Sequence, residues 1–211
     1  SLAVIQLHHA GMRSPEDLVG GRPVCPSENE ETGARALTLE EVRQLRDDVV
    51  AAAQRAEKAG FDGVEIHGAH GYILSQFLSP VINQRNDRYG GSLENRARIL
   101  FEIVEAVRDR CRPGFLLGVR LSPERFDLKL GEMIEVSRRL MEEGAIDFLD
   151  GSLWDVFKEP VEERVQGRSL FSYFEELDRG EVRLGIAGKI YAPHDARKCL
   201  EEGADFILLG R

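Results

Sequence analysis

The apolar residues of the chain fall into short continuous runs that are separated by amphipathic segments. Six runs are predicted strands, near residues 3–8, 62–66, 115–120, 146–150, 183–187 and 205–209. They are continuously apolar rather than alternating, which is typical of strands buried on both faces of a parallel sheet. Segments between them carry apolar residues at helical spacing, as Leu39, Val42 and Leu45 do. The pattern therefore predicts an α/β protein with a parallel sheet.

One helix–strand unit recurs along the chain. Thr38 and Glu41 have the spacing of a capping box, and Gly60 is a suitable residue to end the helix that they begin. The segments AGFDGVEI, EGAIDFLD and EGADFILL each have a glycine that ends a helix, an Asp within the next three residues, and an apolar run. Such repetition predicts one supersecondary unit used several times. Residues 13–37 lack any period and are predicted to form a long loop.

Nearly every predicted strand ends in a residue that could bind a ligand or do chemistry. These residues are Gln6 and His9, His67 and His70, Arg120, Asp150 and Ser152, Gly188, and Gly210 with Arg211. An open doubly wound sheet concentrates its ligand at one switch point, whereas a barrel collects contributions from many strand ends at one mouth. The even spread favours a TIM (β/α)8 barrel. Six strands are about six of the eight units that such a barrel needs.

We interpret residues 1–211 as a single, partial barrel domain. The chain opens on SLAVIQL and closes on ADFILLGR, both of which read as strands in progress. We therefore expect a fragment that lacks about two βα units.

Charge and composition exclude several classes of partner. The net charge of −9 argues against nucleic acid and anionic membranes. No apolar run approaches the roughly 20 residues that span a bilayer, and no secretory signal is present. Three scattered cysteines, Cys25, Cys111 and Cys199, form no CxxC pair. They indicate free thiols in a reducing compartment, so we expect a cytoplasmic protein, compatible with a homo-oligomer.

The densest group of reactive side chains follows the second predicted strand. His67 and His70 are three residues apart on a turn, so both imidazoles could donate hydrogen bonds to one carbonyl oxygen. Tyr72 follows and could donate a proton, since a phenol stays protonated at pH 7. The alternatives are a metal held by the histidines and a set of core polar groups. We predict no metal, because no carboxylate or Cys sits at supporting spacing.

The other strand ends suggest an anionic ligand. Arg120 ends an apolar strand and needs an anionic or carbonyl partner. That partner could instead be a neighbouring carboxylate, for example Glu65 or Asp150. Gly188, Gly210 and Arg211 end the last two strands, where barrels often bind phosphate through backbone N–H groups. Residues 79–96 could line the mouth or could cap the next helix.

The segments GFDGVEIHGAHGYILSQFLSP and NDRYGGSLENR resemble the Old Yellow Enzyme family of FMN-dependent NAD(P)H oxidoreductases. The resemblance extends from IQLHHAG to LLGR, which is essentially the whole chain. Two positions depart from the family pattern. Met12 intervenes before Arg13, where many members have Arg directly after the Gly, and Lys189 stands where many have a second Gly.

The resemblance implies a role for each candidate residue. Those matched to FMN are Gln6 at the pyrimidine edge, Arg120 beside N1 and O2, and Gly188, Gly210 and Arg211 at the phosphate. His67 and His70 match the pair that binds the substrate's carbonyl or nitro oxygen, and Tyr72 matches the proton donor.

The implied reaction is the reduction of activated C=C bonds in small electrophilic alkenes. NAD(P)H reduces FMN and leaves, flavin N5 delivers hydride to the alkene's β-carbon, and Tyr72 protonates the α-carbon. Three alternatives stay open: the dienoyl-CoA reductase branch of the family, a non-flavin barrel enzyme that runs proton transfer on a phosphorylated ligand, and an inactive barrel fragment.

Overall fold

In the computed structural model, which describes residues 1–162 and 166–210, six parallel strands form the main sheet. The strands of the chain are β1 (Val4–Leu7), β2 (Val24–Cys25), β3 (Arg35–Ala36), β4 (Gly63–Gly68), β5 (Leu116–Leu121), β6 (Phe148–Ser152), β7 (Arg183–Ala187) and β8 (Phe206–Ile207). The helices are α1 (Glu16–Val19), α2 (Leu39–Lys58), α3 (Ile73–Leu78), α4 (Leu93–Arg110), α5 (Leu130–Glu142), α6 (Leu170–Glu175) and α7 (Pro193–Glu201).

The order of strands in the main sheet identifies the barrel class. The order is β1-β4-β5-β6-β7-β8, and every neighbouring pair is parallel. Because the order never reverses along the chain, the sheet has no switch point of the doubly wound kind. β1 and β8 each pair with one neighbour only in the described structure, so the predicted incomplete barrel of six strands is confirmed.

The repeated Asp of the helix–strand unit has a common structural task. Asp62 accepts a hydrogen bond from the backbone N–H of Ala3 at 2.6 Å. Asp147 accepts in the same way from Leu117 at 2.7 Å, and Asp205 from Leu184 at 2.8 Å. Each carboxylate thus satisfies an N–H at the start of the neighbouring strand, which ties consecutive units together.

Helix α2 has the local sequence signals from which it was predicted. Thr38 and Glu41 form the predicted capping box, and Gly60 follows the helix with a φ of +90°. Buried apolar residues recur on one face, with Val42 and Ala53 fully buried. That face packs against α4 and the sheet, and each large side chain so buried stabilises the fold by about 1.5–3 kcal/mol.

Residues 13–37 contain more regular structure than the loop that we predict from the sequence. They include the one-turn helix α1 and the parallel pair β2–β3, in which Val24 pairs with Arg35. These elements are too short to show a period. α3 and α6 also escape the pattern, since six-residue helices give little signal and all six residues of α3 are buried.

The segment before α4 is held by its own side chains. The buried Asn83 amide donates to the carbonyls of Phe77 and Tyr89 at 2.7 and 2.8 Å. Ser92 caps α4 by accepting from the N–H of Asn95. The contacts of residues 79–92 are therefore structural, which favours the helix-capping interpretation. In the described part of the chain, no helix is long and apolar enough to cross a membrane.

Candidate active site

The three predicted catalytic residues meet at the end of β4. His67 is buried in the strand, and the Nδ1 atom of His70 lies 3.3 Å from its Nε2 atom. The turn is possible because His70 and Gly71 both adopt left-handed backbone angles, with φ of 60° and 70°. Tyr72 precedes α3, and its ring centroid lies 5.4 Å from that of His67. The structure thus brings both imidazoles and the phenol into one cluster.

A fourth ring, that of His8, joins this cluster. Its centroid lies 4.3 Å from the Tyr72 ring and 5.3 Å from the His67 ring. From the sequence we name His9, not His8, among the strand-end residues, and His9 instead accepts from the N–H of Gly11 at 3.0 Å. Strand alternation was the available signal: His8 lies two residues after Gln6 and so faces the same side.

Burial keeps the two clustered histidines neutral. It lowers the pKa of His67 to about 3, with the charges of His70, His8 and Arg120 acting in the same direction. It lowers the pKa of His70 to about 4, helped first by the charge of Arg120. At neutral pH each ring therefore has one N–H donor and one acceptor nitrogen. Among the described residues, no group of three His, Cys, Asp or Glu side chains could hold a metal ion.

Arg120 contacts a buried carboxylate, the arrangement that we left as an alternative. Its Nε atom lies 3.0 Å from Oδ2 of Asp150, a fully buried residue. The N–H direction does not make this contact a hydrogen bond, and neither Nε nor the Asp150 oxygens have another partner. Burial raises the pKa of Asp150 to about 8, although the charge of Arg120 opposes this. Desolvation therefore outweighs the ion contact in setting the pKa of Asp150.

Gln6 and Arg120 both line a cavity of about 610 Å³. Gln6 donates a hydrogen bond through Nε2 to the buried carboxylate of Glu65, its register partner on β4. Burial raises the pKa of Glu65, against the hydrogen bond from Gln6 and the charge of Arg120. An amide and a guanidinium on one wall can together meet a ring edge that has both donors and acceptors.

Arg120 also lines a second cavity, of about 440 Å³, together with Gly188 and Gly210. A Cβ on Gly188 would come within 2.9 Å of the backbone of Trp154, and its φ of +148° also requires glycine. At Gly210 no atom lies within 4 Å of the Cβ position, so the backbone is open to a ligand. The remaining predicted phosphate residue, Arg211, lies outside the described residues.

Two departures from the family pattern have structural explanations. The Nη1 atom of Arg13 donates to the carbonyl of His70 at 2.9 Å, and its guanidinium lies over the ring of Tyr72 at 5.6 Å. Arg13 therefore contacts the turn at His70 despite the extra residue before it. Lys189 has a φ of +48°, a conformation that suits glycine, and its amine pairs with Asp155 at 3.3 Å.

The residues present fit FMN. Arg120 lines both a cavity with an amide wall and a cavity in which the backbone of Gly210 is open. Such a pair of spaces suits a flat heteroaromatic ring and a phosphate. Fold and site together define the class as a (β/α)-barrel protein with its candidate ligand-binding residues at the carboxyl ends of the strands.

Comparison with known proteins gives the family. The NADH:flavin oxidoreductase / NADH oxidase family matches residues 1–211. The chain is 37% identical over 219 residues to a probable NADH-dependent flavin oxidoreductase of Bacillus subtilis (strain 168), covering 99% of the chain and 59% of that protein. It is 51% identical over 114 residues to an NADPH dehydrogenase of Clostridium acetobutylicum, covering 52% of the chain and 33% of that protein. The chain therefore belongs to the NADH:flavin oxidoreductase / NADH oxidase family.

Solved structures agree with this assignment. Morphinone reductase in complex with tetrahydroNAD superposes with a TM-score of 0.79 at 31% identity, covering 100% of the chain and 62% of that structure. The chain thus spans about three fifths of the length of these full-length relatives. The findings confirm the predicted Old Yellow Enzyme family, the predicted barrel class and FMN as the cofactor.

Proposed function

We propose that the complete protein is an FMN-dependent NAD(P)H oxidoreductase that reduces activated C=C bonds. The observation that carries the proposal is the pair of neutral imidazoles, with Nε2 of His67 and Nδ1 of His70 only 3.3 Å apart and the Tyr72 ring beside them. Two donors directed at one point suit an oxygen that gains negative charge during reaction. The substrate class is a small alkene conjugated to a carbonyl or a similar electron-withdrawing group.

Each residue has a defined task in this proposal. Bound FMN supplies the redox chemistry, taking hydride from NAD(P)H and passing it to the alkene. His67 and His70 hold the substrate oxygen and stabilise the charge that develops on it. Tyr72 donates its phenolic proton to the carbon next to the activating group, which completes the addition of one hydride and one proton across the double bond.

The cofactor would be held along the two cavities that Arg120 lines. Gln6 and Arg120 would bind the edge of the ring system, where the fixed positive charge of Arg120 suits a reduced flavin. Gly188 and Gly210 would present backbone N–H groups to the phosphate. We assign Arg211 to the same phosphate from its place in the sequence.

Replacing Tyr72 by Phe tests the proposed proton donor. In the FMN-loaded complete protein, Tyr72→Phe should slow alkene reduction by about 10²–10⁴-fold, the usual contribution of a general acid. Flavin reduction by NAD(P)H should stay nearly intact, because that half-reaction needs no proton from Tyr72. Stopped-flow absorbance of the flavin measures both half-reactions separately.

Tyr173→Phe is the matched control, since Tyr173 is a phenol on α6, outside the histidine cluster and outside both cavities. An equal loss in both half-reactions of Tyr72→Phe would refute its role as proton donor. A complete protein that takes up no FMN, or whose bound flavin stays oxidised under anaerobic NADH and NADPH, would refute the proposal as a whole.

A further inference from the structure

Ser152, the last residue of β6, lies between Arg120 and His70. Its Oγ atom accepts a hydrogen bond from Nη2 of Arg120 at 3.2 Å and lies 2.7 Å from Nε2 of His70. We propose that Ser152 is a positioning residue that fixes the tautomer of His70, with the ring proton on Nδ1. The inference rests on the proposed function, because it assigns Ser152 a part in binding the substrate oxygen.

The argument begins with Arg120, whose guanidinium can only donate hydrogen bonds. The hydroxyl of Ser152 must therefore use a lone pair to accept from Arg120. Its own proton is then directed to the other close atom, Nε2 of His70. If Nε2 donated instead, the hydroxyl proton of Ser152 would have no acceptor among the described contacts of Oγ.

The tautomer follows from the neutral state of His70. A neutral imidazole has one N–H, so a ring that accepts at Nε2 carries its proton on Nδ1. Nδ1 is the nitrogen that faces His67 at 3.3 Å. Ser152 thus makes His70 a donor into the space between the two rings.

His67 is able to donate into the same space. Its Nδ1 atom is buried and has no hydrogen-bond partner, so nothing there opposes a proton on Nε2 once a substrate oxygen replaces the contact between Nε2 and Nδ1 of His70. A substrate oxygen that lies beside both nitrogens, at hydrogen-bond distance from each, would then accept from both rings. Arg120, which we assign to the flavin edge, therefore determines through Ser152 which nitrogen of His70 donates to the substrate.

The test compares three variants of the FMN-loaded complete protein: Ser152→Ala, Ser152→Thr and Ser122→Ala. Ser122 is the matched control, because its Oγ accepts from the backbone N–H of His70 at 3.0 Å and does not contact the ring. Long-range ¹H–¹⁵N spectra of the histidine rings report the tautomer directly, without any need for activity.

We expect the wild-type protein to show His70 with its proton on Nδ1. Ser152→Ala should give a mixture of both tautomers, whereas Ser152→Thr, which keeps the hydroxyl, and Ser122→Ala should retain the single form. The kcat/KM for an activated alkene should fall about five- to tenfold in Ser152→Ala, as for the loss of one hydrogen bond, and should recover in Ser152→Thr.

A wild-type proton on Nε2, or an unchanged tautomer in Ser152→Ala, would overturn the inference. So would an unchanged kcat/KM in Ser152→Ala when the tautomer has shifted. Absence of alkene reduction in the wild-type protein would refute the proposed function, and the spectra would still decide whether Ser152 sets the tautomer.

Discussion

The pKa of the buried Asp150 side chain can be tested through the pH dependence of protein stability. Burial raises the pKa of Asp150 to about 8 from its ordinary value of 3.8, so the folded protein holds this proton more tightly than the unfolded chain. The resulting stability is fully present below pH 4 and is lost as the pH rises through about 8. At 1.36 kcal/mol per unit, the wild-type protein should lose about 2 kcal/mol between pH 6 and pH 8 from this group alone.

Asp150→Asn removes this dependence while keeping a neutral group of the same shape. The variant should be more stable than the wild-type protein by about 3 kcal/mol at pH 6 and by about 5 kcal/mol at pH 8, because it does not have to take up on folding a proton that the unfolded Asp150 has released. Urea unfolding at both pH values measures the difference. Asp127→Asn, on an exposed loop residue, makes the same charge change as a control.

The reasoning would be refuted by a loss of about 3–5 kcal/mol at both pH values. That result is expected if Asp150 is ionised and paired with Arg120, because the variant would then leave a buried cation without its counter-charge.

Two further predictions concern the scaffold. Gly188→Ala should lower the free energy of unfolding by about 1–3 kcal/mol and weaken FMN binding, because the new Cβ would meet the backbone of Trp154 at 2.9 Å. Gly210→Ala, where the Cβ position is open, should unfold at nearly the wild-type temperature, and equal losses in both would contradict this account. Arg85→Met should cost about 3 kcal/mol and speed amide exchange over residues 24–37, since the nearly buried Arg85 donates to the carbonyls of Pro26 and Leu37. Arg22→Met, in an exposed pair with Glu28, should change stability by less than about 1 kcal/mol, and a similar effect of both would refute the tethering role of Arg85.

Most of the sheet could be predicted because its signals are local. Continuous apolar runs mark strands buried on both faces, and the capping box at Thr38 marks the start of α2. The elements that were missed are short or wholly buried. β2 and β3 have two residues each, and α3 has no polar face to give a helical period.

Part of the candidate site could likewise be predicted from local sequence, and part could not. His67, His70 and Tyr72 follow one strand within six residues, so chain connectivity alone keeps them close. Strand alternation places His8 on the same side as Gln6, but only the pairing of β1 with β4 brings its ring to His67 and Tyr72.

Sequence by itself determined which residues lie at strand ends, because hydrophobic periodicity and helix caps act within a few residues of each other. Only the tertiary structure decided which of those residues meet. The contacts of Ser152 with His70 and of Arg120 with Asp150 join residues that are 82 and 30 positions apart. Their hydrogen-bond directions and their burial, which shifts pKa values, are set by parallel strand register and by the packing of distant segments, and no local pattern encodes them.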